Sequence, residues 1–287
     1  MLDLRGQTRP GPDKSEPMPL IADHLDHLRL VTLGQLTSAG AWALQLAHDR
    51  PYAVLFWITK GQGVAILDGA RRGMGIHNAI FVPPGQLMSL DPGRQGFGQA
   101  LLIPPSARLP LPETVQHLRI REVTAQTELT ALLEAMGREQ AAQRPLCQSA
   151  MAAHGELVAI WLRRQMTEAT QARPPETAAR RLVRAYCRRL VRDYANGDSM
   201  AGHAAALGVT PTHLTRVCRA ETGKTAAALL TERLLHAARQ LLVTSDAPIQ
   251  DIARQLGFGS ATYFTRFIQQ HTQSAPTALR RSARPTA

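Results

Sequence analysis

The chain has 287 residues and a formal net charge of +11 at pH 7. This length allows two domains of ordinary size, each able to bury a core. The charge is divided unevenly: residues 176–287 contain 16 lysines and arginines against 7 acidic residues, whereas residues 1–175 contain 17 against 15. The strongly basic C-terminal third favours a polyanionic partner, and a basic surface kept for solubility is the alternative interpretation.

The three cysteines are far apart and include no Cys-x-x-Cys pair: Cys147, Cys187 and Cys218. This pattern argues against a disulfide framework or a zinc site and predicts a cytoplasmic protein. No apolar run approaches the ~20 residues that a bilayer span requires, so no membrane partner is expected. Residues 1–20 lack the apolar segment of a signal peptide. They are predicted to be a disordered leader, with Met18 as an alternative start.

Residues 21–168 are predicted to form the first domain. Between Arg29 and Pro104, short apolar runs alternate with glycine and proline, which is typical of a small antiparallel barrel or sandwich. Tyr52–Thr59 is predicted to be a strand with Val64–Leu67 as its hairpin partner. Two further strands are predicted at Ile80–Val82 and Gly98–Ile103.

Two helices are predicted to follow these strands, over Glu128–Gln143 and from Pro145 to about Gln165. Their apolar residues recur at helical spacing, so each helix is expected to cover the core of its own domain. The second helix carries Trp161, and a dimer seam that would make the protein a homodimer is the alternative use of that helix. Residues 169–177, which include Pro174 and Pro175, are predicted to be the linker between domains.

Residues 178–285 are predicted to be all-helical, and they contain one short pattern twice. Each copy has a helix, a turn at Leu-Gly followed by an apolar residue, and a second helix opened by threonine or serine. Glycine suits that turn because a Cβ atom would disfavour its backbone conformation. The copies are typical of two helix-turn-helix units, at His203–Thr210 with Thr212–Val217 and at Ile252–Ser260 with Thr262–Phe267.

A helix predicted over Thr225–Val243 joins the two units and would be ~28 Å long. Recognition helices that enter successive major grooves lie ~34–36 Å apart, so one chain is expected to reach both grooves. Helical geometry leaves four positions of each recognition helix free to face the base edges, and arginine suits guanine especially. These positions are Thr212, His213, Thr215 and Arg216 in the first unit, and Ala261, Thr262, Thr265 and Arg266 in the second.

Ala178–Arg281 resembles the DNA-binding domain of AraC/XylS-type bacterial transcriptional regulators. The stretches that carry the resemblance are Arg219–Lys224, Arg233–Leu242, Ile252–Gly257 and Tyr263–Phe267. It implies that the eight positions named above are the base-contacting ones. The chain departs from the family pattern at Cys218, Ala226, Ile268 and Thr272–Gln273, which affects packing at the edges and removes no contact residue.

The N-terminal part resembles the cupin-like sensor barrel of the same family, through Gly61-x-Gly63 and Phe81–Gly85. This resemblance implies a small-molecule effector or a dimerisation role. Candidate effector-binding residues are Tyr52, Phe56, Trp57 and Phe81, for which simple core packing is the alternative. Leu87–Met88 falls where enzymatic cupins carry a histidine, and His48 has no close histidine partner. Neither a cofactor nor a metal is therefore expected, and His77 is expected to end a strand.

The expected protein is multidomain, with an all-β cupin-like barrel followed by helices and then an all-α domain with two helix-turn-helix units. Its expected function is sequence-specific transcriptional regulation without enzymatic activity. The expected partners are double-stranded DNA, an effector and, if the protein is an activator, RNA polymerase. The alternatives are a non-specific architectural DNA-binding protein and a cupin-type enzyme fused to a DNA-targeting module.

Overall fold

The computed structural model describes residues 25–169 and 176–282. The predicted leader and most of the predicted linker therefore lie outside the described residues. An N-terminal domain of strands and helices precedes an all-helical C-terminal domain, as the sequence predicted. Within the described ranges, no helix is both long enough and apolar enough to cross a membrane.

Eight strands of the N-terminal domain form two antiparallel sheets. The strands are β1 (Arg29–Thr32), β2 (Ala53–Lys60), β3 (Gly63–Leu67), β4 (Ala70–Met74), β5 (Asn78–Val82), β6 (Met88–Asp91), β7 (Phe97–Ile103) and β8 (Gln116–Arg119). One sheet has the order β1-β7-β2-β5-β8, and the other has the order β4-β3-β6. Two short helices, α1 (Leu33–Leu36) and α2 (Trp42–Gln45), connect β1 to β2.

Strand β2 is buried on both faces because its sheet lies between two layers. Successive side chains of a strand point to opposite sides. Val54 and Phe56 therefore enter the core shared with the smaller sheet, whereas Leu55 and Trp57 enter the core beneath two helices. Those helices are α3 (Val123–Ala142) and α4 (Cys147–Ala169), and they account for the continuous apolar run of β2.

The predicted hairpin between β2 and β3 is wrong. β2 pairs with β5 and β7, whereas β3 pairs with β4 and β6. The chain passes from one sheet to the other at residues 61–62 instead of folding back within one sheet. An apolar run specifies that a strand is buried but not which strand lies beside it.

Helix α4 also extends beyond its predicted end, through Ala169; the sequence contains no glycine or proline between Gln165 and Pro174 that would end the helix earlier. Trp161 on this helix is buried and donates its indole N–H to the Ala125 carbonyl oxygen at 3.0 Å. It therefore packs against α3 within the domain. Leu157 and Ile160 are the large apolar residues of α4 that remain exposed.

The C-terminal domain consists of seven helices within the described residues. They are α5 (Ala178–Asp193), α6 (Met200–Ala205), α7 (Pro211–Thr222), α8 (Ala226–Thr244), α9 (Ile249–Gln255), α10 (Ala261–Thr272) and α11 (Pro276–Ser282). Helices α6 and α7 form the first helix-turn-helix unit, and α9 and α10 form the second. Helix α8 joins the units, as predicted from its 19 residues.

Helix α8 is also buried on the side that faces the N-terminal domain. Arg233, Leu235 and His236 are buried because α8 also lies against the N-terminal domain. The Arg233 guanidinium donates to the Asp49 carboxylate at 2.6 Å and lies 3.8 Å from the centre of the Tyr194 ring. Charged and polar residues of α8 thus make contacts between the two domains.

A second contact between the domains involves the turn between β3 and β4. The carboxylate of Asp68 in this turn accepts a hydrogen bond from Arg184 of α5 at 2.6 Å. Burial raises the pKa of Asp68, and the positive charges of Arg184 and Arg180 oppose that change. The N-terminal domain therefore contacts both α5 and α8.

Candidate nucleic-acid interface

The first helix-turn-helix unit is built from local capping and turn residues. Ser199 caps α6 by accepting from the Gly202 amide at 3.1 Å, and Thr210 caps α7 by accepting from the His213 amide at 3.2 Å. Pro211 occupies the first turn of α7, where its missing N–H has no intrahelical partner to lose. Between the helices, Gly208 has a φ of +68°, as predicted for this turn.

The second unit repeats these features. Ser260 accepts a hydrogen bond from the Tyr263 amide at 3.1 Å and so caps α10, as predicted. Gly257 has a φ of +76° and lies close to the backbone that follows α5, at Ala195 and Gly197. The second unit therefore has the same local design as the first, with an added close contact to the end of α5.

Packing shows which side of each recognition helix faces inward. Leu214 and Val217 of α7 and Phe264 of α10 are buried. Phe267 is half-buried, and its ring lies 5.1 Å from that of Phe258 and 4.7 Å from that of His271. The remaining side of each recognition helix faces outward.

The eight predicted base-contacting residues lie on α7 and α10, four on each helix. Five of them are exposed: Thr212, His213, Arg216, Thr262 and Arg266. The other three are half-buried: Thr215, Ala261 and Thr265. In the first unit, a guanidinium nitrogen of Arg216 lies 3.2 Å from Nδ1 of His213. The structure thus brings the polar groups of each unit together on one helix surface.

Tyr263 is a residue of this surface that the sequence analysis did not select. Its side chain is 64% exposed, and its ring lies 6.0 Å from that of Phe258. The signal was available in the sequence, because Tyr263 follows Thr262 and precedes the inward-facing Phe264 in the first turn of the helix. An exposed phenol in that turn adds both a hydrogen-bonding group and an apolar ring to the second unit.

Some arginines of α5 are held by carboxylates. Arg189 binds Asp193 at 3.0 Å and Asp198 at 2.7 Å, and its Nε donates to Nδ1 of His203 at 3.2 Å. Burial, and then the charge of Arg189, lowers the pKa of His203. This network connects α5 to the first helix of the first unit, so Arg189 stabilises the unit instead of facing solvent.

The four aromatic residues predicted to bind an effector lie in different places. Phe56 is in the core between the sheets, and Trp57 and Phe81 are in the core beneath α3 and α4. Tyr52 lines a cavity of about 550 Å³ between the domains. The structure therefore separates these residues, and of the four it places Tyr52 at that cavity.

Two histidine expectations need correction. His48 does have a close histidine partner, because its ring stacks on that of His236 with 4.4 Å between the ring centres. The two residues are far apart in sequence and meet through the contact between domains. His77 does not end a strand; it directly precedes β5 with a φ of +61°, and its ring lies 5.8 Å from that of Trp57. Among the residues described, no group of three potential metal ligands occurs.

Comparison with known proteins supports the interpretation of the C-terminal domain. Residues 203–282 match a family model described as a helix-turn-helix domain. The chain is 34% identical over 110 residues to the "Probable bifunctional transcriptional activator/DNA repair enzyme AlkA" of Mycobacterium tuberculosis, which covers 38% of this chain. The matched region spans 22% of that relative's length.

Solved structures similar to the chain include ToxT and the C-terminal domain of AraT. ToxT of Vibrio cholerae is 11% identical with a TM-score of 0.43, and the match covers 91% of this chain and 98% of ToxT. The C-terminal domain of AraT, a response regulator from Geobacillus stearothermophilus, is 24% identical with a TM-score of 0.34. That match covers 39% of this chain and 89% of the AraT domain.

Proposed function

We propose that this chain, whose C-terminal domain belongs to the AraC/XylS-type helix-turn-helix family, is a sequence-specific DNA-binding transcriptional regulator. The observation that carries the proposal is the pair of recognition helices, each with an outward polar surface, joined by the 19 residues of α8. A helix of that length spans about 28 Å. Together with the width of the units, it suits two major grooves one duplex turn apart.

In this proposal, Arg216 and Arg266 donate hydrogen bonds to base edges, and the neighbouring threonines and His213 adjust which bases are accepted. Exposed arginines outside the recognition helices contact phosphates, which position the protein without reading sequence. Discrimination between DNA sequences depends mainly on the first unit and on Arg266, because Ala261 gives the second unit one polar side chain fewer.

Selection from a random duplex library tests the proposal. The purified chain should enrich one non-palindromic site whose two recognised segments are centred about 10 base pairs apart. Binding should weaken steeply with salt in every case. Salt dependence alone is therefore uninformative, and a selection that enriches no sequence over random DNA would support the architectural alternative and overturn the proposal.

We also infer that the cavity between the domains binds a small effector. Among the described residues, its lining includes Arg29, Arg50 and Tyr52 from the N-terminal domain and no carboxylate, whereas α8 contributes Gln240 and Thr244. Apolar walls next to arginines suit an organic anion with an apolar body. Such a ligand would contact both domains, so its binding would couple the N-terminal domain to the helix that joins the two DNA-binding units.

Fluorescence of Trp42, which also lines the cavity, can test this inference. Octanoate and benzoate are suitable probes, with octanamide and benzamide as their uncharged counterparts. We expect saturable changes with an anion, weakened about tenfold by Arg29→Gln, and little change with the amides. Equal responses to acid and amide, or an unchanged response in Arg29→Gln, would contradict an anion site.

Transcriptional activation and self-association complete the proposal. The exposed Leu157 and Ile160 of α4 support a homodimer, and an activator would also contact RNA polymerase. Sedimentation of the full chain should show a dimer that Leu157→Glu dissociates. Transcription from a promoter carrying the selected site should rise in the presence of the chain; a fall would identify a repressor.

A further inference from the structure

Two histidine rings, one from each domain, are stacked inside the contact between the domains. His48 lies between α2 and β2, and His236 lies on α8. Their ring planes are inclined by only 7°, and the rings are 0% and 6% exposed. Trp42 packs edge-on against His236 with 5.4 Å between ring centres. The pair is therefore enclosed when the domains are in contact and becomes accessible to water when they separate.

The hydrogen bonds of both rings fit the uncharged form. Nδ1 of His48 lies 2.8 Å from the Leu46 carbonyl oxygen and donates to it, whereas Nε2 is buried and has no partner among the described residues. Nε2 of His236 donates to the Ala43 carbonyl oxygen at 3.3 Å across the domain boundary. A proton added to Nε2 of His48 would create a buried N–H without an acceptor.

The charges that face the pair also oppose protonation. Arg50 from the N-terminal domain and Arg233 from α8 act on both rings, and Arg239 of α8 acts on His236. Two carboxylates near the pair are held by cations: Arg233 binds that of Asp49, and Lys224 binds that of Glu232, which also accepts a hydrogen bond from the Ala47 amide. Burial is the largest influence: it holds the pKa of His48 well below the ordinary value and lowers the pKa of His236 to about 3.

We propose that His48 and His236 make the contact between the two domains sensitive to pH, so that acid releases the DNA-binding domain from the N-terminal domain. Both rings must be uncharged to stack within the closed contact, whereas each takes up a proton freely once the domains separate. The released state binds more protons than the closed state and gains population as pH falls.

The direction and size of the effect follow from linkage. Each histidine has a lowered pKa in the closed state, so its contribution to closure is complete above the ordinary value of 6.5 and is lost as pH falls below it. For two such groups, the equilibrium constant for closure falls by about a hundredfold between pH 7.5 and pH 5.5. The loss continues towards the pKa of the closed state.

Amide hydrogen exchange can measure this equilibrium even when the open state is rare. The Ala47 amide donates to the Glu232 carboxylate of α8 at 3.1 Å, so its exchange reports separation of the domains. We expect its protection factor, corrected for the intrinsic pH dependence of exchange, to fall about a hundredfold from pH 7.5 to pH 5.5. The double variant His48→Phe/His236→Phe keeps two stacked rings without a titrating group and should abolish that fall.

His117→Phe is the matched control. His117 is a half-buried histidine outside this contact, hydrogen-bonded to Asn78 at 2.7 Å, and burial lowers its pKa to about 4. This control should retain the native pH dependence at Ala47. The same hundredfold fall in the double variant, or a protection factor in the native chain that does not change with pH, would overturn the proposal.

A second measurement applies if the double variant does not close at any pH. In the native chain, the NMR signals of both rings should show no titration between pH 7.5 and pH 5.5. In Asp49→Ala, which leaves the buried Arg233 guanidinium without its carboxylate and so favours the open contact without altering either histidine, both should titrate near the ordinary value of about 6.5. Rings that remain untitrated in this opened variant would show that burial between the domains does not control them, and would overturn the proposal.

Discussion

Arg266 and Arg254 differ in position although both are exposed arginines of the second helix-turn-helix unit. Arg266 lies on the outward side of α10, whereas Arg254 lies on α9 and pairs with Asp251 at 3.3 Å. We expect Arg266→Ala to weaken binding to the selected site by about 1–3 kcal/mol and to relax base preference at one position. Fluorescence anisotropy with a set of single-base variants of the site measures both effects.

Arg254→Ala is the control, because it removes the same charge from the same unit. It should weaken binding to all sequences alike, if at all, and leave base preference unchanged. If the two variants behave identically, Arg266 contacts phosphate, and its assignment to a base edge is wrong.

At the scale of elements, the turns of the two helix-turn-helix units share the pattern of Leu-Gly followed by an apolar residue, but they differ in their surroundings. Gly208 and Gly257 both have positive φ. A Cβ atom added at Gly208 would meet nothing within 4 Å, whereas one added at Gly257 would collide with the backbone at Ala195 and with the Gly197 amide nitrogen, 2.7 Å away. The turn at Gly257 is therefore packed against the end of α5, whereas a side chain at Gly208 would have open space around it.

We expect Gly208→Ala to lower the free energy of unfolding by about 1 kcal/mol, from backbone strain alone. Gly257→Ala should lower it by more than about 3 kcal/mol, because strain is joined by a clash between backbone atoms that cannot move apart easily. Urea denaturation followed by circular dichroism measures the difference. Equal decreases in the free energy of unfolding for the two variants would show that residues 195–197 move away from the added Cβ atom without an energetic penalty.

On the scale of the whole molecule, the buried ion pair between Asp49 and Arg233 links the two domains. Their side chains are 18% and 9% exposed, so removing one partner leaves a poorly solvated charge. We expect Asp49→Ala to lower the free energy of unfolding by about 3 kcal/mol, and the double variant Asp49→Ala/Arg233→Met to recover part of the loss. A double-mutant cycle from urea denaturation gives the coupling.

The matched comparison is the exposed pair Arg254–Asp251 on α9, whose side chains are 73% and 46% exposed. Asp251→Ala should change stability little, because solvent screens exposed charges. A loss as small in Asp49→Ala as in Asp251→Ala would mean that water replaces the carboxylate at the domain contact.

The helices of the C-terminal domain could be predicted because their periodicity, caps and turn glycines are all local. Thr210, Ser260 and Gly223 mark helix ends through hydrogen bonds or backbone angles that span a few residues. Strand pairing in the N-terminal domain could not be predicted. Strands β2 and β3 are both apolar, and no local sequence feature specifies which strand pairs with each of them. The stacking of His48 on His236 depends on tertiary contact alone.

Helix α8 is subject to two separate length requirements. It sets the separation of the two helix-turn-helix units, and its Glu232, Arg233 and His236 must also meet the N-terminal domain. One residue inserted after Arg233 would turn the rest of the helix by about 100° and advance it by about 1.5 Å, which misaligns His236 and the second unit together. A lineage that altered the spacing of its DNA site would therefore have to rebuild its domain contact in the same step, so binding-site spacing should change more slowly than base preference.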